Sequence, residues 1–486
     1  MDNNIYSIIS IVIIVINIIF IITAIFFERK KPVHALSWVL TLSLLPLIGF
    51  ILYLIFGRTF RYKSKKFLIK CNRDKQYCQK LYKTLDYAYY DESVFIEPYN
   101  NDIKQIIQLN INTSKSPFTN DNSVIIFTSA EDKYRELLQD IATAKSSIHI
   151  SYFIIQNDHI GKKIINALAQ KAKEGLEVRL LFDHGSNLFT PFKAYKPIID
   201  NGGEVLSFFS NTINNYLRVN FRNHRKIVVI DGAMGYVGGI NIGDEYLGLK
   251  KKLSPWRDTH LRIIGSSVHD LQLRFFEDWL YASKKDLQFG DSEKYFMPID
   301  QQTKGSTGIQ IVSSGPDTNG EEIKRCLIKM VNSAKKSIFI QTPYFVPDSS
   351  FLEALQNAAM SGVRVIIQIP KLPDKKYVYK ATMSFVADVI EYGIKIYLYP
   401  GFLHAKMMVI DDTCCAIGTA NIDMRSFSLN FEIDAFMYGE EISKRCMDIF
   451  DTDLKQCTVI NQEKFKNRSV FSKIQENVFR LFSPLL

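Results

Sequence analysis

HRKIVVID, residues 224–231, and HAKMMVID, residues 404–411, repeat one pattern 180 residues apart: a histidine, a lysine two places on and an aspartate five beyond it, around an apolar stretch. Side chains alternate along a strand, so His224 and Lys226 point to one side while Ile227 and Val229 point to the other; His404 and Lys406 do likewise. IVVI and MMVI read as buried strand interiors, with Asp231 and Asp411 at the turn that ends each strand. Each motif leads into a small-residue turn closed by asparagine, GGIN at 238–241 and GTAN at 418–421. Glycine there admits backbone N–H groups to close range, and Asn241 and Asn421 add neutral donors, a combination suited to a phosphate oxygen. One such motif alone reads as a surface strand with a capped turn. Two, each with the same downstream turn, read as halves of one site.

The repetition extends beyond the motifs. AKSSIHISYFI from Ala144 returns as AKKSIFIQTPYFV from Ala334, and KEGLEVRLLFD from Lys173 returns as MSGVRVIIQIP from Met360. Each reads as a helix end running into an apolar strand. A period this long excludes a solenoid and implies duplication, giving two α/β domains in a pseudo-twofold arrangement. The expected boundaries are 116–295 and 305–475, with the seam in the polar, turn-rich stretch 285–306. Residues 58–115 form the connection that precedes the first domain.

The start of the chain is a different material. Ile5 to Phe27 carries no charge and reaches about 34 Å as a helix, enough to span a bilayer. Asp2, Asn3 and Asn4 before it and Phe26, Phe27 and Glu28 at its end do not fit a cleaved signal peptide, so the segment is expected to stay as an anchor. A second charge-free run, Ala35 to Gly57, carries Trp38, Pro46 and Tyr53. It is either a second span kinked at the proline, making 1–57 a transmembrane helical hairpin, or a re-entrant segment; the spanning reading is adopted. Gly57 to Lys80 then holds nine Lys and Arg against Asp74 alone, most of the net charge of +10. Such a block belongs on the cytoplasmic side, against anionic lipid headgroups. Arg29, Lys30 and Lys31, between the two runs, argue for the opposite orientation if both span.

With 486 residues, 47% of them apolar and 23% charged, the rest is globular and too long for one ordinary core. Seven cysteines, two of them adjacent at 414 and 415, exclude a disulfide framework, and no Cys and His spacing suits zinc. No carboxylate cluster offers a magnesium or calcium site, so no metal or other cofactor is expected.

Two HxKxxxxD motifs, each followed by GxxN, resemble those of the phospholipase D superfamily. ERKKPVHALSWVLTLSLLPLIGFILYLIFGR at 28–58, WRDTHLRIIG from Trp256, SSGPD from Ser313 and TPYFVPD from Thr342 narrow the resemblance to bacterial cardiolipin synthases, over nearly the whole chain. The resemblance implies catalysis by His224, Lys226, Asp231, His404, Lys406 and Asp411. One histidine attacks phosphorus to form a phosphohistidine, the other protonates the departing alkoxide, and the roles reverse for the incoming alcohol. His224 is expected as nucleophile and His404 as acid and base, with Lys226, Lys406, Asn241 and Asn421 around the non-bridging oxygens. Glu432, eleven places after Asn421, matches the family's acidic residue that orients a motif histidine. Lys252 stands at that offset from Asn241, so Asp258 is expected to take the role in the first half after a short insertion. For Asp231 and Asp411 a supporting part is expected, fixing the turn and the lysine by hydrogen bonds. His149, His184 and His260 are expected to be structural. Tyr152, Phe153, Tyr344 and Phe345 either line a lipid entrance or belong to the core.

The implied reaction joins two phosphatidylglycerol molecules into cardiolipin and glycerol, at a multi-pass protein of the bacterial cell membrane with its catalytic domains on the cytoplasmic side. Its partners are then membrane phospholipids and an anionic lipid surface. The alternatives are a membrane-bound phospholipase D that hydrolyses its lipid and a phosphatidyltransferase using another alcohol. Nucleic acid is not expected as a partner, because the positive charge is concentrated beside the apolar segments and no aromatic and basic stripe crosses the α/β domains.

Overall fold

The structure is a computed structural model that describes residues 2–27, 32–56, 99–209, 221–283, 292–296, 305–318 and 321–483. The basic stretch 57–80 and most of the 285–306 seam lie outside the described residues.

Among the described residues the first half supplies seven strands to the main sheet: β1 (Thr119–Phe127), β2 (Ser147–Tyr152), β3 (Glu177–Asp183), β4 (Glu204–Phe208), β5 (Ile227–Ile230), β6 (Met234–Gly238) and β7 (His260–Ile264). The second half supplies β8 (Thr307–Ser314), β9 (Ser337–Gln341), β10 (Arg364–Pro370), β11 (Lys395–Tyr399), β12 (Met407–Ile410), β13 (Cys414–Gly418), β14 (Glu432–Tyr438) and β15 (Thr458–Val459). All belong to one sheet, in the order β15-β11-β10-β9-β12-β13-β14-β8-β1-β7-β6-β5-β2-β3-β4. Read outward from the middle, the halves run 1-7-6-5-2-3-4 and 8-14-13-12-9-10-11, the same order with every strand displaced by seven. The directions match too: β2 and β3 pair in parallel as β9 and β10 do, while β5 runs antiparallel to β2 as β12 does to β9. The halves join where β1 pairs antiparallel with β8.

Both motif strands are buried on both faces, and their alternation links three cores. Val228 and Ile230 pack into the first half's own core, and Met408 and Ile410 into the second half's. Ile227, Val229, Met407 and Val409 all enter one shared core, so the halves bury apolar surface against each other. That shared layer fixes the relative position of the two histidine motifs.

At the amino terminus, α1 (Asp2–Phe27) is a 26-residue helix. Many of its end side chains are outside the described set, and among the described residues no helix is long and apolar enough to cross a membrane. The run expected as a second span is two helices, α2 (Pro32–Leu44) and α3 (Pro46–Phe56), folded back on one another. Trp38 and Tyr53 stack edge to face with centroids 5.1 Å apart, which a continuous helix would hold about 22 Å apart. Pro46 ends the ladder, and Gly49 lets the backbones close in: a Cβ there would sit 2.6 Å from the Thr41 carbonyl oxygen. Neither helix, at 13 and 11 residues, matches a hydrocarbon core of about 30 Å. The reversal meets α1 midway along its length, where the Asn17 side-chain amide donates to the Pro46 carbonyl at 2.9 Å. The described residues thus form one long helix and a reversed pair, and the expected two-span hairpin is not seen among them.

Candidate active site

The motif histidines stand just before β5 and β12, and each is held by the opposite half. The His224 N–H donates to the Phe431 carbonyl at 3.0 Å, and the His404 N–H to the Arg257 carbonyl at 2.6 Å. One residue beyond each of those carbonyls comes a carboxylate. His224 Nδ1 lies 2.8 and 3.1 Å from the Glu432 oxygens, and His404 Nδ1 lies 2.6 Å from Asp258 Oδ2. An ionised carboxylate only accepts, so each ring donates from Nδ1 and keeps the lone pair on Nε2.

Strand register explains why Asp258 can serve as Glu432 does. Gly238 pairs with His260 across β6 and β7, and Gly418 with Asp434 across β13 and β14. Asp258 and Glu432 both sit two residues before those partners. The insertion in the first half is taken up by short 3-10 turns at Asp244–Leu247 and Lys251–Leu253. Glycine is required beside Asp258 and beside Asp434, two residues past Glu432: a Cβ on Gly239 would lie 2.0 Å from Asp258 Oδ1, and one on Gly418 2.0 Å from Asp434 Oδ1.

Lys226 Nζ donates to the His224 carbonyl at 2.7 Å, and Lys406 Nζ to the His404 carbonyl at 2.5 Å, so each ammonium is tied to its own histidine. Both are buried. Burial pushes Lys226 down to about 7 and Lys406 to about 8, against the pull of Glu432 and Asp258 on both. The two asparagines have partners of their own: Asn241 Nδ2 donates to the Tyr246 hydroxyl at 3.1 Å, and Asn421 Nδ2 to Asp423 at 2.9 Å. Each amide nitrogen retains a second hydrogen.

The two histidines differ electrically. Burial, and then the charges of Lys226, Lys406 and His404, drive His224 well below the ordinary imidazole value. Burial and Lys406 lower His404 also, but Asp258 opposes them. The acids differ in the same sense. Burial raises Glu432 to about 7 despite Lys226, whereas at Asp258 the charges of His404 and Lys406 outweigh burial and hold the carboxyl below its ordinary range. Both imidazoles are thus lowered, His224 the more, and His404, beside an acid held ionised, is the one better able to carry a proton.

Asp231 and Asp411 do not belong to this cluster. Seven extended residues place each roughly 20 Å from its histidine. Their carboxylates collect the backbone N–H groups of Lys145, Ser146 and Ser147 and of Lys335, Lys336 and Ser337, at 2.7–3.0 Å. They fix the turns entering β2 and β9 and make no bond to the motif lysines, which corrects their place in the catalytic set. Of the aromatic candidates, Phe153 packs against His224 with centroids 4.6 Å apart. Tyr152 is buried and accepts from Lys133, Tyr344 donates to Asp374, and Phe345 is core. His260 is structural, its Nδ1 accepting from the Ile240 N–H at 3.3 Å. Among the described residues no group of His, Cys, Asp and Glu is arranged to hold a metal.

Two site residues escaped the sequence reading. Lys133 is fully buried beneath the site, 2.7 Å from the Tyr152 hydroxyl and pushed down to about 7 by burial against the pull of Asp258. Its place in an ordinary amphipathic helix gave no signal. Asp434 accepts from the N–H groups of Thr419 and Ala420 at 2.8 and 3.1 Å, holding the second GxxN turn. The parallel between DTH at 258–260 and EID at 432–434 could have revealed it.

A domain family described as "Cardiolipin synthase, PLD-like domain" matches the chain twice, at residues 137–253 and 327–454, and one described as "Phospholipase_D-nuclease N-terminal" matches 15–58. The major cardiolipin synthase ClsA of Bacillus subtilis (strain 168) is 42% identical over 99% of this chain and 100% of its own length. A cardiolipin synthase of Clostridium perfringens (strain SM101) is 44% identical over 94% of this chain and 95% of its own. Among solved structures, phosphatidylserine synthase of Haemophilus influenzae Rd KW20 shares the fold with a TM-score of 0.59 at 15% identity, over 79% of this chain and 100% of that one.

Proposed function

The chain belongs to the cardiolipin synthase family, whose phospholipase D-like domain it carries twice, and we propose that it converts two phosphatidylglycerol molecules into cardiolipin and glycerol. The observation that supports this reading is the crossed pairing of His224 with Glu432 and His404 with Asp258, which ties each imidazole to the opposite half while the charge of His404 acts on His224. In the first step His224 Nε2 attacks the phosphorus of the donor lipid. The bond from phosphorus to the headgroup glycerol oxygen breaks, and the His404 imidazolium protonates that oxygen as glycerol leaves. In the second step a primary hydroxyl of the acceptor's glycerol gives its proton to neutral His404 and attacks phosphorus, and the bond to His224 breaks.

The electrical asymmetry supports this division of roles, because the attacking ring must be neutral and the acid protonated. Lys226 and Lys406 stabilise the charge gathering on the non-bridging oxygens, with the remaining amide hydrogens of Asn241 and Asn421 as neutral donors. Binding the anionic phosphate raises both lysines again, so they are charged when the charge is needed. Glu432 and Asp258 fix tautomer and ring orientation.

Transfer prevails over hydrolysis when lipid hydroxyls outnumber water at the covalent intermediate, which a membrane position provides. In this reading the charge-free run from Ile5 to Phe27, about 34 Å long as a helix, is the part of the sequence that anchors the chain in the bilayer. The α2–α3 pair enters only to the depth of Asn17 and returns to the face it left, so the basic clusters at 29–31 and 58–80 stand on one side, the cytoplasmic one. Their opposed topological signals then disappear. Incubation of the full chain with phosphatidylglycerol vesicles, followed by product identification, tests the function. Cardiolipin and free glycerol in equal amounts are expected, and loss of both in His224→Ala and His404→Ala. Phosphatidic acid as the main product would establish hydrolysis instead.

A further inference from the structure

The loop that follows β3 carries an exposed apolar tip on a rigid base beside the catalytic centre. Leu188, Phe189 and Phe192 are 68%, 101% and 56% exposed. A hydrophobic tip on a soluble loop is ordinarily folded inward, and this base leaves it no freedom to do so. The Asn187 side-chain amide donates to the carbonyls of Phe153 and Asp183, both at 2.7 Å, and its Oδ1 accepts from the Ile155 N–H at 2.7 Å. The Thr190 hydroxyl donates to the Ile155 carbonyl at 2.8 Å. Asp183 joins the base to the motif itself, accepting from the N–H groups of Ser186 and Asn223 at 2.9 Å, one residue before His224. Phe153, to which Asn187 is tied, is the ring against His224.

Cations flank this tip at its root. The Arg222 guanidinium lies flat on Gly185, where a Cβ would meet its Cζ at 2.7 Å, and Lys193 follows Phe192 on the surface. Exposed apolar side chains with basic groups at their root match the layering of a bilayer leaflet, acyl chains beyond phosphates. In the second half, the helix Val470–Arg480 also leaves Phe471 and Ile474 exposed. Its Arg480 is held 2.6 Å from Asp388 on the helix Lys376–Ile390, which begins next to Lys375, a charge that acts on His224.

We propose that the Leu188–Phe192 tip is a docking surface for the anionic bilayer, immersed among the acyl chains so that His224, tied to its base, is brought to the membrane surface. This rests on the reading of phosphatidylglycerol as substrate. The amino-terminal anchor alone only tethers the catalytic halves; the loop sets their orientation, placing the lipid phosphate level with the histidines while its acyl chains stay in the bilayer.

The test uses the full chain reconstituted in phosphatidylglycerol vesicles. Phe189→Trp is expected to gain emission that lipids brominated on their acyl chains quench, in excess of any quenching of the parent chain. Leu188→Ser with Phe189→Ser is expected to lower the rate on vesicle phosphatidylglycerol at least tenfold more than the rate on short-chain phosphatidylglycerol dispersed below its micelle concentration. Equal loss on both substrates, or no excess quenching, would overturn the proposal. So would emission from the Phe189→Trp variant that follows protein concentration and ignores brominated lipid, since the tip would then meet a second copy of the chain. A parent chain that makes no cardiolipin would refute the substrate reading while leaving the quenching result to stand by itself.

Discussion

Replacing Glu432 by glutamine keeps the shape of the side chain 2.8 Å from His224 Nδ1 and removes its charge. The new amide can offer its NH2 to Nδ1, and the ring proton then moves to Nε2, the atom that attacks phosphorus. Losing a charge-assisted bond of this kind costs about 1.5–3 kcal/mol, or roughly 10- to 150-fold. The wrong tautomer behind a catalytic histidine costs up to about 10⁴-fold. We therefore expect kcat for cardiolipin formation to fall by about 10²- to 10⁴-fold. Stability should move the other way. Glu432 is fully buried and its carboxyl is raised from 4.5 to about 7, so keeping it ionised in the folded chain costs about 3 kcal/mol. The sign follows from proton binding: between 4.5 and 7 the folded chain holds a proton that the unfolded chain has released. The penalty is absent below 4.5, grows through that interval and is complete above about 7. Glu432→Gln should thus melt at or above the parent's temperature at pH 8, with the advantage shrinking toward pH 5. Vesicle assays and thermal melts of the full chain read both effects. A kcat within threefold of the parent, or a melting deficit that widens from pH 5 to pH 8, would refute the reasoning.

Asp258→Asn should impair the acid step, lowering transfer from phosphatidylglycerol about 10²-fold but transfer from a p-nitrophenyl phosphatidyl ester far less, because that leaving group needs no proton. On the alkaline side kcat/KM should fall above about 7 to 8 as Lys226 and Lys406 lose their protons in the free enzyme, while kcat holds to higher pH because bound phosphate raises both; pH profiles of the two constants separate these limbs. Asp231→Ala and Asp411→Ala each strip acceptors from three backbone N–H groups, so we expect a loss of about 1–3 kcal/mol in thermal stability with kcat per folded molecule unchanged. Single cysteines placed at Lys30 and Lys63 in a cysteine-free background should both label from the cytoplasmic side, and labelling from opposite sides would restore two spans.

The duplicated frame was readable because its signals are local: a strand preceded by a helix end, a histidine two places from a lysine, a glycine turn closed by asparagine. The strand order bears this out, with each half repeating the other. Asp258 was readable despite the insertion because WRDTH keeps the acid in a strand-like context. That His224 takes its acid from the second half, and His404 from the first, could not be read, since no pattern along one chain states which repeat faces which. The remoteness of Asp231 and Asp411 was accessible in principle, because extended residues have a fixed rise; the motif's compactness on paper concealed it. Pro46 announced a break in the second apolar run but not its angle. The reversal depends on Gly49 against Thr41, Trp38 against Tyr53 and Asn17 of another helix, all tertiary contacts.

In the proposed reaction two imidazoles from different halves share one phosphorus, with His224 as its covalent carrier. Rapid quenching of the full chain with phosphatidylglycerol labelled at phosphorus, followed by mapping of the acid-labile label, tests it most directly. Label is expected on His224, appearing with an equal amount of glycerol and chased into cardiolipin when acceptor is added, and absent in His224→Ala. Label on His404, or cardiolipin formed at the parent's rate by His224→Ala, would contradict it.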